Sequence, residues 1–302
     1  MTFKTCVIPV LTALALSWPA GATQAETVGN SSRTGPPPAA MKLDPFYRQA
    51  LQADGLWVVA SSRVRSETLY RTAGLIAGML AYRPALAPEL SRMGIRVAIM
   101  ARSESTMDLP EQRNWHKPAP DDQRLTFCER KEYATRIAPL TDSQYWAGRA
   151  RGMGGKLTSG AEENILGLDG DRYHGENIFV HEFSHSIYRA LSAVDPALHQ
   201  AVGRAYAAAR EKGLWKGDYA ENTVDEYWAE GTQFWFNTNR IAFIGDLAIR
   251  NDADFIAHDP ALAAIMAKVY GPRHHLAGDV FWDFNRTHPE AAPVRSPGSL
   301  GC

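Results

Sequence analysis

Cysteine is scarce: three residues in a chain of 302 cannot make a disulfide scaffold, and none of them has the spacing of a zinc knuckle. Charge of one sign is lacking too. The 32 basic and 33 acidic residues leave a net charge of −1, which excludes a large basic field for nucleic acid or an anionic membrane. Beyond the N-terminal segment no stretch approaches the roughly 20 apolar residues of a membrane span. No period repeats along the chain, which excludes solenoids and propellers.

What is present begins with an export signal. Lys4 is followed by the apolar segment Thr5 to Pro19 and then by the small residues of Ala20-Gly21-Ala22-Thr23-Gln24-Ala25, so residues 1–25 are expected to be a signal peptide cleaved after Ala25 or Ala22. The mature protein is then secreted or periplasmic. Cys6 leaves with the signal, and Cys128 and Cys302 remain. A bridge between them and two free thiols are both open readings, and closing so long a loop would contribute on the order of 4 to 5 kcal/mol.

Residues 26–43, with Ser31-Ser32 and Pro36-Pro37-Pro38, read as a flexible leader, 44–290 as the catalytic domain and 291–302 as a C-terminal tail. The hydrophobic share of 45% supports one sizeable core. Within the domain the pattern is mixed. Helices are expected over Phe46 to Ala53, Glu67 to Tyr82, Pro84 to Met93, Pro196 to Lys212 and Pro260 to Tyr270, and strands over Gly55 to Ser61 and Ile95 to Met100. Lys156 to Leu168 is a candidate strand along a cleft, where an extended peptide could add to its edge, or else a structural hairpin. The fold class expected is α+β, helix-rich with a small twisted sheet, on the zincin-like plan.

The chemistry centres on His181-Glu182-Phe183-Ser184-His185. Residues four apart share one helix face, so the two imidazoles can converge on one ion while Glu182 points at a water beside it. The flanking residues 176–180 and 186–191 hold no Pro or Gly and are apolar on more than one side, as a buried helix requires. A third ligand six residues further on is lacking, because Tyr188 and Leu191 stand where the metzincin pattern needs His or Asp. No acid stands about twenty residues on either, where Arg204 to Ala207 lie. Glu226 and Glu230 do share a helical face, so that one can bind metal while the other hydrogen-bonds an imidazole.

The run Tyr219 to Glu230 resembles the matching region of the anthrax lethal factor catalytic domain and related bacterial gluzincins, with a Tyr seven residues before a Glu and a second Glu four after it. The resemblance covers about residues 174 to 236. It implies His181, His185 and Glu226 as ligands of Zn2+, Glu182 as general base, Tyr219 as the hydroxyl that steadies an oxyanion, and Glu230 as the acid behind an imidazole. It implies a peptide or protein substrate, and zinc peptidase activity.

Two rivals stand beside that expectation: a zinc-stabilised binding module without catalysis, and a zinc hydrolase of a non-peptide amide. Tyr227, Trp228, Phe234, Trp235 and Phe236 are expected in the core more than along a pocket. His174 suits a capping or surface role, His274-His275 an apparent loop, and Asp169-Gly170-Asp171 a turn.

Overall fold

The computed structural model describes residues 33–282 apart from 123, 124 and 126. The expected signal peptide, the expected tail, Cys6 and Cys302 lie outside the described residues. Cys128 is disulfide-bonded.

The fold is α+β and helix-rich. Strands β1 (Gln49–Ala53) and β2 (Leu56–Ala60) form an antiparallel hairpin. The expectation of a helix over Phe46 to Ala53 is wrong: Asp54 and Gly55 both take positive φ, 47° and 82°, and that turn reverses the chain into the hairpin. Helices α1 (Ser66–Leu80) and α2 (Leu86–Arg92) lead to β3 (Arg96–Met100), which pairs with β2 in parallel. A long crossover follows, with two short helices, α3 (Phe127–Lys131) and α4 (Asp142–Arg149), before β4 (Leu157–Ala161) joins β3 in parallel. The sheet order is β1-β2-β3-β4.

After β4 come α5 (Glu162–Ile165), α6 (Ile178–Val194), α7 (Pro196–Lys212) and, past a 3-10 turn at Tyr219–Glu221, α8 (Val224–Trp235). A two-stranded hairpin of β5 (Ala242–Ile244) and β6 (Leu247–Ile249) precedes α9 (Asp252–His258) and α10 (Pro260–Tyr270). The helices α6, α7 and α8 are each started by a side chain. Asn177 accepts from the Val180 N–H, Asp195 from Leu198 and Thr223 from Glu226, satisfying donors the helix leaves free.

One face of the sheet, through Leu51, Val58, Val97 and Ile99, packs on α1 and α6 in the main core, which runs on through Phe183, Trp228 and Met266. The other face holds a smaller cluster around Tyr47, Val59 and Met100. The described part of the expected leader lies against that second face: Gly35 bridges Ala50, and Met41 and Leu43 pack on the cluster. Among the described residues no helix is long and apolar enough to cross a membrane.

Candidate active site

Helix α6 carries the His-Glu-Phe-Ser-His run with its apolar residues turned into the core, where Phe179, Phe183 and Ile187 have no exposed surface. That burial leaves His181, Glu182 and His185 on the face turned to a cleft of about 400 Å3. The two imidazoles stand edge to face with their centroids 4.9 Å apart.

Helix α8 crosses α6 and supplies the carboxylate. The Trp228 indole donates to the Ser184 carbonyl at 3.0 Å, tying the helices together one turn from the site. Glu226 Oε2 then lies 2.9 Å from His181 Nε2 and 3.7 Å from His185 Nε2. Donor atoms of His181, His185 and Glu226 all fall within 4.8 Å of one another. Ligands at about 2.0–2.2 Å on a tetrahedral zinc stand roughly 3.3 Å apart, so the arrangement fits that ion after small side-chain shifts. Two imidazoles and one carboxylate are also the donor chemistry of an open zinc site.

The charges within the trio respond to each other. Burial pushes Glu226 up, but the hydrogen bond and charge of His181, with His185 and Arg149, hold it at about 2. Burial works against a charged His181, yet the hydrogen bonds of Glu226 and Glu230 outweigh it and raise its pKa well above the ordinary value. Burial pulls His185 down to about 4, keeping that imidazole neutral.

Behind His181, the Nδ1 edge meets Gln233 Oε1 at 2.9 Å and Glu230 Oε1 at 3.4 Å. Gln233 was not singled out in the sequence and is the nearer acceptor. It lies three residues after Glu230 and seven after Glu226, on the same face of α8, and that spacing was the available signal. Its amide is oriented by donation to the Asn177 carbonyl at 3.1 Å. Its oxygen can therefore hold the Nδ1 proton and leave Nε2 to a cation. Glu230 takes a bond from Asn239 Nδ2 at 2.7 Å. Glu176 also packs here, its pKa lifted to about 7 by burial and by Glu230.

Glu182 faces the cleft beside the trio. Burial and the charge of Glu226 lift its carboxyl to about 7, against the lowering effects of His181, the Gly154 N–H and Arg149. Gly152 and Gly154 let a loop pass close over α6. A Cβ on Gly154 would stand 3.0 Å from His185 Cδ2 and 3.3 Å from Glu182 Oε2, and one on Gly152 would stand 2.6 Å from Ile178 Cγ2.

That loop also revises the candidate cleft strand. Strand β4 ends at Ala161, short of Leu168, and its outer edge is bridged at Ser159 by Met153, whose N–H and carbonyl both bond it. Residues 152–155, and not β4 itself, line the cleft.

Tyr219 lines the same cleft, its ring centroid 6.2 Å from that of His181. Burial and the charge of Glu226 push the phenol up, so it is a neutral donor near pH 7. Asp218 starts its turn by accepting from the Ala220 N–H at 3.0 Å. The remaining wall comes from the long crossover as Tyr145, Trp146 and Arg149, with Tyr173 alongside. None of these was read from the sequence. Tyr227, Trp228, Phe234, Trp235 and Phe236 lie in the core. His174 packs edge to face on Phe281, and the Nδ1 of His274 faces the Trp235 carbonyl at 2.9 Å.

No family model matches the chain, and no curated protein matches it. Among solved structures it is similar to the Pro-Pro endopeptidase PPEP-2 from Paenibacillus alvei, with a TM-score of 0.43 and 16% identity over 70% of this chain and 96% of that one.

Proposed function

We propose that this protein is an exported zinc-dependent peptidase of the gluzincin type, acting on a peptide or protein substrate. The observation that carries the reading is the convergence of His181, His185 and Glu226 from two helices at the floor of an open cleft, with Glu182 beside them. These three residues would hold the ion. Zinc bound there would acidify a water and polarise a carbonyl.

The side chains do the rest. Glu182 accepts the proton of the attacking water and passes it to the leaving amine, a task suited to a carboxyl whose pKa burial has brought near neutrality. Tyr219 donates to the oxygen on which negative charge develops, an interaction stronger in the transition state than in the ground state. Gln233 and Glu230 fix the ring of His181.

A purely structural zinc site would be closed by a fourth side chain. Among the described residues no fourth His, Cys, Asp or Glu joins the trio, and its open side faces the cleft. The test is mass spectrometry of a peptide library incubated with zinc-loaded protein. The expected result is cleavage that chelators abolish and that Glu182→Gln reduces about a thousandfold. Zinc-loaded wild type that cuts no peptide, or a Glu182→Gln variant of full activity, would overturn the reading.

A further inference from the structure

We propose that Arg151 is the positioning residue for the loop of residues 152–155, holding it against the face of α6 that carries Glu182 and His185. The consequence for turnover rests on the peptidase reading. Gly152, Gly154 and Gly155 leave this loop little side-chain packing of its own, and ordering glycine costs more backbone freedom than ordering any other residue. The loop nevertheless runs within contact of two site residues. A Cβ on Gly152 would stand 3.0 Å from Glu182 Cγ, and one on Gly154 would stand 3.1 Å from His185 Cβ. A segment of that composition keeps such a position only when its ends are fixed.

Arg151 fixes the start. Its Nε donates to Glu163 Oε1 at 2.7 Å and its Nη2 to Glu163 Oε2 at 2.9 Å, a two-pronged pair in which each side chain is 10% exposed. Nη2 also donates to the Ala101 carbonyl at 3.2 Å, and Nη1 donates to the Glu104 carbonyl. One guanidinium thereby joins the loop to α5, which follows β4, and to the turn that follows β3. The residue before it is tied to the same region, since Thr106 Oγ1 donates to the Ala150 carbonyl at 2.9 Å.

The far end is fixed by α6 itself, where Ser186 Oγ donates to the Gly155 carbonyl at 3.3 Å. Between the two ends Met153 exchanges a pair of backbone bonds with Ser159, at 3.3 and 2.8 Å. Stability alone is a poor account of the fork, because a buried ion pair adds little over apolar side chains of similar volume. Its planar geometry is what the loop uses. A lysine at 151 would keep a charge opposite Glu163, but a single ammonium on a flexible stem cannot hold two carboxylate oxygens and two carbonyls in one plane.

Two measurements decide the matter. The first is amide hydrogen exchange on metal-free wild type, Arg151→Lys and Glu163→Gln; the glutamine variant keeps the shape of the pair should the lysine variant not fold. The Met153 and Ser159 amides are expected to exchange about tenfold faster in the variants, with the amides of α6 unchanged. Unchanged exchange at Met153 and Ser159, or an equal rise throughout α6, would overturn the proposal. This readout needs no activity, so it decides the point even if the protein cuts no peptide and the peptidase reading fails.

The second is a double-mutant cycle on a cleaved peptide, with Glu182→Gln and zinc content as controls for the peptidase reading itself. Arg151→Lys is expected to lower kcat about tenfold with KM unchanged. Combined with Gly154→Ala, which displaces the same loop directly, it should cause no further loss, because both act through one segment. If the two losses multiply, Arg151 does not work through the loop and the assignment falls.

Discussion

Glycine at 154 matters for what it lacks. Its backbone passes beside His185 and the Glu182 carboxylate, and the loop can come that close to α6 only because no Cβ intervenes. Gly154→Ala should therefore displace an imidazole and the general base together while leaving the core untouched. The expected outcome is a loss of activity of about a hundredfold with an unchanged circular dichroism spectrum. An alanine variant with wild-type turnover would show that the contact is slack. The residues that carry chemistry were legible at this scale because their spacing is rigid: His181, Glu182 and His185 follow from one helical turn, and Glu226 and Glu230 from another. Gln233 obeys the same geometry, but its type has no ionisable group and does not mark it as part of a site; only the fold brings its oxygen to 2.9 Å from His181.

At the scale of elements, the site depends on how α8 docks on α6. Trp228 is fully buried between them and donates to the Ser184 carbonyl at 3.0 Å. Trp228→Ala should cost about 3–5 kcal/mol of stability and weaken metal binding with it, because Glu226 sits only two residues away on the same helix. Denaturant titrations with and without zinc would measure both effects. A destabilised variant with unaltered zinc affinity would contradict that coupling. The helices from 196 to 212 and 260 to 270 were readable because each opens with an Asp cap and a Pro. Strand β1 was misread because its residues Gln49 to Ala53 alternate weakly, and only the Asp54-Gly55 turn and the pairing with β2 decide for a strand. The cleft wall from α4 was unreadable for a different reason. Tyr145, Trp146 and Arg149 acquire meaning only when a long crossover folds back over α6, and nothing local in the sequence encodes that return.

For the whole molecule, the crossover that carries Glu129 and Arg149 is anchored covalently at Cys128. Export would remove Cys6, and we propose Cys302 as the partner in the mature chain. Non-reducing peptide mapping should then recover Cys128 joined to Cys302, and reduction should cost on the order of 4 kcal/mol. Two free thiols on the unfolded mature protein would contradict the bridge. The account as a whole requires that helices separated by an entire intervening helix, α7, meet at one cation. Anomalous diffraction at the zinc edge from crystals of zinc-loaded protein tests that requirement most directly. One strong peak bounded by His181 Nε2, His185 Nε2 and the Glu226 carboxylate is expected. A saturated crystal with no peak there, or with its peak on other residues, would contradict it.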